Sequence, residues 1–450
     1  MADIRKSRLF GASSIGFFGV GKTTLALVNL LKKWNTCAKI TLRSEQYVNR
    51  SALPEGINAR ILDGARAFDS PYEELLVCSP SVRRERRELS PFIVSGTQLT
   101  SDCELFFEIC NKPTLAVTGS DGKSTTVTLA HKILTSAGSP SMLIGNIGVP
   151  MLPTVGCSDT YVCELSSFNL HYLKASFKRA AVTNITPNHL NFHGTMEEYT
   201  EAKLSLLRSA DEPIVFDDAG VLSDYAKASP VYAICSYTRD WRELSKSYGA
   251  EVIYTVSGGY IMRCGERLIP ISAFASPSEN LIKNFTVAAA LTEGLCGAED
   301  LMRVAGEFSG LPHRAECFLR VDGKEFVDSS IDTSPARSVT TIKAQSRPTV
   351  VMLGGRGKGV SYAPLREALI GRARLAVLFG EDRLLIKEAI GDSVPCISVE
   401  GFIEGVECAL SVLGEGEVLL LSPAATSYDE FSSFEERGNL FKKIITEHYS

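Results

Sequence analysis

Residues 113–129 read PTLAVTGSDGKSTTVTL. An apolar run, TLAVT, breaks at Gly119 and Gly122 and passes into residues with helical apolar spacing, the pattern of a strand, a tight loop and a helix. Such a loop can hold a triphosphate. Its amides and the helix N-terminus face phosphate oxygens, Lys123 neutralises charge, and the Ser124 hydroxyl can hold Mg²⁺. The match to the template G-x-x-x-x-G-K-[ST] is incomplete, because Val117 stands at the first glycine. A full match, GFFGVGKTT, lies at residues 16–24.

The strand that follows each loop separates the two. A triphosphate site needs a carboxylate from another strand end to complete its metal. After the second loop, DTYVCELSS ends at Glu164; after the first, AKITLRSE ends at Arg43, a cation. ATP and Mg²⁺ are therefore assigned to Gly119, Ser120, Asp121, Gly122, Lys123, Ser124 and Thr125. The first loop reads as a glycine-rich turn for the diphosphate of another ligand, or as a strand–helix turn in which Lys22 is incidental.

Around these loops, apolar runs alternate with helical stretches. SSIGFFG, AKITL, ELLVCSPS and PFIVSG read as strands of a first series, and TYVCELSS and RAAVTNIT continue a second. EFVDSS, PTVVMLGG, ARLAVLFG and EVLLLSPA form a third. Strand–helix alternation predicts an α/β protein with mostly parallel sheets. At roughly 100–200 residues per domain, the 450 residues make two to four domains. Joints near residues 108–113 and 308–314 give domains 1–110, 111–311 and 312–450.

The composition is that of a globular chain, 44% hydrophobic and 22% charged, and a net charge of −5 argues against a broad nucleic-acid-binding face. No apolar run reaches the ~18 residues of a membrane span. No sustained apolar core follows the first residues, so no signal peptide is read. Twelve cysteines without C-x-x-C are read as reduced, mostly buried thiols of a cytoplasmic protein. The basic run SVRRERREL, residues 81–89, is read as a solvated helical face, with phosphate binding as the alternative.

NITPNHLNFHG ends another strand of the middle series and supplies His189 and His193; the helical MEEYTEAKLSLL after it carries Lys203. A lone histidine or lysine is more often structural than catalytic. Glu164, His189 and Lys203 all follow strand ends of one domain, and together they point to a second metal position near the γ-phosphate.

These motifs resemble the Mur ligases. AVTGSDGKST is similar to the family's ATP loop, and IGNIGVP, ELSSFNL, NITPNHLNFHG and EYTEAKLSLL follow in the family's order. GLPHR, LGGRGKG and LLLSPAATSYDEFSSFEERGNLF resemble the branch that adds D-glutamate. The resemblance implies three domains: a Rossmann-like N-terminal domain for a UDP-sugar, a P-loop-type central ATPase, and a Rossmann-like C-terminal domain for the amino acid. It implies ATP-dependent joining of D-glutamate to UDP-N-acetylmuramoyl-L-alanine through an acyl phosphate, by a cytoplasmic monomer that uses no nucleic acid or membrane. Lys123, His189 and Lys203 become catalytic. Ser124, Glu164, His189 and a carbamylated Lys203 become ligands of two Mg²⁺ sites. Val20, Arg43, Asn146 and Ser166 are assigned to the UDP-sugar. Asn284, Arg314 and Asp328 are assigned to the nucleotide. Thr333, Lys358, Ser427 and Phe434 are assigned to D-glutamate, with Asp332 the alternative to Thr333.

The chain departs from the family pattern at several positions. Asp121 replaces the loop asparagine, Asn191 an aspartate after the histidine, Ser330 a lysine, Lys283 and Val287 a histidine and an asparagine, and Ser81 a glycine. The rival readings are a sister ligase for another amino acid, a P-loop switch ATPase using Lys22, and a nicotinamide oxidoreductase. No acidic residue ends the strand after the first loop to grip a ribose, which disfavours the last.

Overall fold

The computed structural model describes residues 4–450 except 49, 51–52, 54–55, 218–219, 276 and 358. Among the described residues the chain forms three sheets in two compact units, Met1–Phe308 and Ser309–Ser450. It is an α/β protein whose sheets are dominated by parallel pairing.

The first sheet holds β1 (Ser14–Phe18), β2 (Lys39–Ser44), β3 (Ala59–Asp63), β4 (Leu75–Cys78) and β5 (Gln98–Thr100), all parallel, in the order β3-β2-β1-β4-β5. This is the order of a Rossmann sheet. Every residue of β1 is buried, as suits a strand covered on both faces. Its interruption at Gly16 has a packing reason: a Cβ there would lie 2.7 Å from Cδ1 of Leu76.

The second sheet holds β6 (Thr114–Thr118), β7 (Ser141–Gly145), β8 (Thr160–Glu164), β9 (Phe177–Val182), β10 (Ala210–Phe216), β11 (Ala233–Cys235), β12 (Val252–Ser257), β13 (Tyr260–Arg263) and β14 (Glu266–Pro270). Their order is β14-β13-β12-β11-β10-β9-β6-β8-β7, with antiparallel pairing only along β12-β13-β14. The chain leaves β6 for β7, returns through β8, and crosses to β9 on the other side of β6. The carboxyl ends of β9, β6 and β8 thus form a topological switch point, the usual place for a ligand in an open α/β sheet. One apolar core joins the first two sheets, with Ile15, Phe17, Leu27 and Leu31 in the same cluster as Ile144, Leu152, Tyr161 and Ala180.

The third sheet holds β15 (Glu316–Val321), β16 (Lys324–Asp328), β17 (Thr349–Gly354), β18 (Ala373–Phe379), β19 (Cys396–Ser398) and β20 (Val418–Ala424), in the order β15-β16-β20-β17-β18-β19. Only β15 is antiparallel. The sheet is doubly wound, but its order is not that of the first. Its switch point lies between β17 and β20, whose carboxyl ends lead into GGRGKG and TSYDEF.

Two local expectations are corrected. PFIVSG is not a strand: Ser90–Val94 is a helix, and Pro91 sits in its first turn, where a missing N–H costs nothing. Residues 81–89 are not a helical face. They run as turns into a short 3₁₀ helix, Arg87–Leu89, because their arginines reach acidic partners on neighbouring elements. All twelve cysteines are free thiols, with Cys37 and Cys157 exposed. Among the described residues no helix is long and apolar enough to cross a membrane.

Candidate functional site

The loop after β6 is held to the end of β9. Gly119 has φ +153°, and a Cβ on it would lie 1.9 Å from Oγ1 of Thr183; a Cβ on Gly122, at φ +79°, would lie 2.3 Å from Oδ1 of Asn284. Both positions require glycine on conformation and space alike. Asn184 Oδ1 accepts from the Asp121 amide at 2.9 Å, and Thr183 Oγ1 donates to the Asp121 carbonyl at 2.6 Å. Ser120 Oγ donates to the Thr186 carbonyl at 2.9 Å and lies 2.9 Å from the Tyr199 hydroxyl. The Asp121 residue is exposed. Ser124 and Thr125 lie in the first turn of helix Lys123–Ser136, whose apolar face buries Val127, Ala130, Ile133 and Leu134.

Lysines converge on this loop. Lys123 Nζ donates to the carbonyls of Gly119 (2.9 Å) and Ser120 (2.8 Å). Lys203 Nζ donates to the same Gly119 carbonyl at 2.8 Å. Helix Met196–Arg208, capped by Thr195, turns Tyr199, Ala202, Lys203, Leu206 and Leu207 inward, so Lys203 lies on the apolar face. It is 2% exposed, and its Nζ lies 4.7 Å from the centre of the Tyr199 ring. Burial, reinforced by the charge of Lys123, pushes its ammonium down to about 7. A surface pairing of Lys203 with Glu197 or Glu201 is thereby excluded; Glu201 pairs with Arg208.

Glu164 ends β8 beside the loop. It is 4% exposed, and its Oε2 has no hydrogen-bond partner. A buried carboxylate oxygen without a donor is the environment a divalent cation satisfies. His189 is exposed, in the left-handed region at φ +54°, and caps the short helix Leu190–His193. Its ring meets Phe168 edge-on at 4.8 Å. His193 is buried, with Nε2 3.0 Å from Ser167 Oγ, and desolvation holds it neutral with a pKa of about 4. Triphosphate and Mg²⁺ both fit these residues: a glycine cradle that a Cβ would fill, and an orphaned carboxylate oxygen.

The first loop faces a different cavity, of about 270 Å³, whose lining includes Lys22, Thr23, Ser79, Asp102, Asn146 and Asn169. Its one carboxylate is already committed. Asp102 accepts from the amides of Met151 (2.7 Å) and Leu152 (2.9 Å), one on each oxygen, so backbone donors already satisfy it, in contrast to the orphaned oxygen of Glu164. Burial raises Asp102 to about 6 against those two bonds. Of the residues assigned to the UDP-sugar, only Asn146 lines this cavity. Val20 packs on the core, and Ser166 caps helix Ser167–Leu170 in a reciprocal box with Asn169. Arg43 is fully buried. It pairs with both oxygens of Glu73 and donates to the carbonyls of Ala67, Asp69 and Ser70, so it offers no exposed donor. Asp102 and Asn169 were missed in the sequence, where nothing marks the fold that brings them here.

In the second unit, Asp328 is fully buried at the end of β16 and holds Nδ1 of His313 at 2.6 Å and the Ser330 amide at 2.9 Å. Gly438 makes room for this pair, since a Cβ there would lie 2.3 Å from Nδ1. Glu316, the third group of this cluster, accepts from Lys442 (2.8 Å) and from the His313 amide (2.9 Å). The cluster is satisfied by protein donors and needs no cation. Arg314 is exposed. Asp332 accepts from Ser422 Oγ at 2.8 Å, whereas Thr333 is half-buried. Ser427 is buried, and Phe434 opens helix Phe434–His448. At the position where the family carries a lysine, Ser330 accepts from Nε of Arg437 at 3.0 Å, and burial pushes that guanidinium down to about 10. Lys358 lies outside the described residues.

A family model described as Mur ligase middle domain matches residues 117–292. A UDP-N-acetylmuramoylalanine–D-glutamate ligase of Ruminiclostridium cellulolyticum is 32% identical over 391 residues, covering 83% of this chain and 82% of that one. The ligase of the same name from Acetivibrio thermocellus is 31% identical over 402 residues, covering 85% and 84%. Among solved structures, the UDP-N-acetylmuramate–alanine ligase of Thermotoga maritima covers 97% of this chain and 99% of its own, with a TM-score of 0.61 at 16% identity, a likeness of fold alone.

Proposed function

The chain belongs to the Mur ligase family, and on that premise we propose that it joins D-glutamate to UDP-N-acetylmuramoyl-L-alanine, driven by ATP, in the synthesis of peptidoglycan precursors. The observation that carries the proposal is the meeting of Lys123 and Lys203 on the Gly119 carbonyl, in a sheet whose neighbouring strand ends at the unsatisfied carboxylate of Glu164.

A carboxylate is a poor electrophile, so it must first gain a leaving group. A carboxylate oxygen of the L-alanyl group attacks the γ-phosphorus, and the bond to ADP breaks. The D-glutamate amine then attacks the acyl carbon; a C–N bond forms, phosphate departs with the acyl oxygen, and the amine proton passes to solvent or phosphate. Lys123 and the amides of residues 119–125 meet the charge of the transferring phosphoryl, an electrostatic contribution commonly of several kcal/mol. Bound Mg²⁺ supplies Lewis acidity at the phosphates. Ser124 and Glu164 would hold one ion, and His189 with a carbamate on Lys203 would hold the second. Asn284 packs on the loop at Gly122 and is assigned to the nucleotide. Lys22, Thr23 and Asn146 receive the diphosphate of the UDP-sugar in the first loop's cavity. Thr333, Lys358, Ser427 and Phe434 are assigned to D-glutamate. Nucleotide-linked substrates are those of a cytoplasmic reaction, and the family resemblance implies a monomer.

The test is ADP release by purified protein given ATP, Mg²⁺ and UDP-N-acetylmuramoyl-L-alanine, with and without D-glutamate. Release that requires D-glutamate, with a product heavier by one glutamyl residue, supports the reading. Release with L-alanine and UDP-N-acetylmuramate, or with diaminopimelate and the dipeptide precursor, moves the chain to a sister activity.

A further inference from the structure

The basic run at residues 81–89 has no part in the reaction above, yet it is bonded at nearly every arginine. Arg86 pairs with Glu45 at 2.8 Å, and Arg84 pairs with Glu104. The Arg84 guanidinium also stacks 4.3 Å from the Tyr172 ring, whose hydroxyl accepts from the Arg84 amide at 2.7 Å and donates to Glu85 at 2.6 Å. With Arg84 and Arg86 engaged in this way, the run is a fastened strap.

One end of the strap is the wall of the first loop's cavity, at Ser79 and Pro80. Its other contact lies on the second site. Arg83 Nη1 donates to the Phe192 carbonyl at 2.5 Å, inside the turn between His189 and His193. Arg83 Nη2 donates to Glu198 Oε2 at 3.2 Å, in the first turn of the helix that carries Lys203. A planar guanidinium fork can hold two such acceptors in fixed relation, which a lysine cannot. His189 stands in a left-handed conformation at the start of a four-residue helix, and its carbonyl accepts from the amides of Phe192 and His193, so the turn that Arg83 grips at Phe192 is the one that carries His189.

We propose that Arg83 is a positioning residue for the metal-holding segment: it ties the His189 turn and the Lys203 helix to each other and to the wall of the UDP-sugar cavity. The inference rests on the assignment of His189 and Lys203 made under Proposed function. Partners that orient metal ligands typically change metal affinity or activity by about 10–100-fold when removed.

The experiment compares full-length wild type with Arg83→Gln, Arg83→Lys and Glu198→Gln. It reads the Mg²⁺ dependence of ATP binding by calorimetry and amide exchange at residues 192–194, and neither needs turnover. Arg83→Gln is expected to raise the Mg²⁺ concentration for half-maximal ATP binding about tenfold and to speed exchange at 192–194. Glu198→Gln should give a smaller change, and Arg83→Lys should restore part of the loss. The guanidinium is at the surface on one side, so the variants should keep the wild-type melting temperature. Unchanged Mg²⁺ dependence in folded Arg83→Gln overturns the proposal, whether or not exchange quickens. If the variants behave as expected but wild type shows no D-glutamate-dependent ADP release, the positioning role stands and the substrate assignment falls.

Discussion

Lys123 and Lys203 place their Nζ atoms on one carbonyl oxygen, that of Gly119, at 2.9 and 2.8 Å. Two ammonium groups on one acceptor repel each other, and the buried one yields. Lys203 falls from an ordinary value of 10.5 to about 7, first by burial and then by the charge of Lys123. A neutral amine adds carbon dioxide to form a carbamate. In the folded protein that amine is present above about pH 7, whereas in the unfolded chain it appears only near 10.5. Between these values the native state binds fewer protons, so the stability cost of burying Lys203 is full below about pH 7 and shrinks as pH rises toward 10.5. With ¹³C-bicarbonate, a carbamate carbon signal should grow in as pH passes about 7 and be missing in Lys203→Ala. Ligation should fall as pH drops below that point. Full activity in Lys203→Ala removes the lysine from the mechanism.

The two loops differ in what their lysines do. Lys123→Ala should abolish D-glutamate-dependent ADP release. Lys22→Ala should leave ATP binding near wild type and weaken only the UDP-sugar, as measured by calorimetry with each ligand. Loss of ATP binding in Lys22→Ala alone would reverse the assignment.

Gly119→Ala tests the cradle. Its new Cβ would meet Thr183 Oγ1 at 1.9 Å, so the loop must leave the end of β9. ATP binding should be lost even though the lysines remain. Adding Thr183→Ala should recover some of it, because the nearest obstacle is a side chain; the strained φ stays.

Arg43 is expected to act through stability. Removing one partner of a buried ion pair costs about 3–5 kcal/mol. Glu73→Ala should therefore lower the urea midpoint strongly while leaving the KM for the UDP-sugar unchanged at temperatures where the protein stays folded. A raised KM without a stability loss would return Arg43 to the ligand site.

Much of this was legible in the sequence for a physical reason. A buried parallel strand is a short apolar run, and a phosphate loop announces itself in glycines and a lysine; hence β6, the 119–125 loop and Glu164 at the end of β8 were all readable. PFIVSG misled because five apolar and small residues fit a strand or a helix equally, and only Pro91 in the first turn marks the difference. The depth of Lys203 was half-visible, since it shares its helix face with Tyr199, Ala202 and Leu206. The arginines of 81–89 could not be placed. Their partners, Glu45, Glu104, Phe192 and Glu198, lie far along the chain, and long-range pairing leaves no local pattern.

The apolar cluster shared by the first two sheets makes them mutually dependent for folding. Cutting the chain near residue 110 would bare the faces of Tyr161, Ile144 and Leu152 on one piece and of Phe17 and Leu27 on the other. Neither piece would keep a closed interior, and each would be prone to aggregate when made alone. Residues 4–308 should instead melt as one cooperative block, so a lesion in the first sheet would lower the heat tolerance of the second without touching its chemistry.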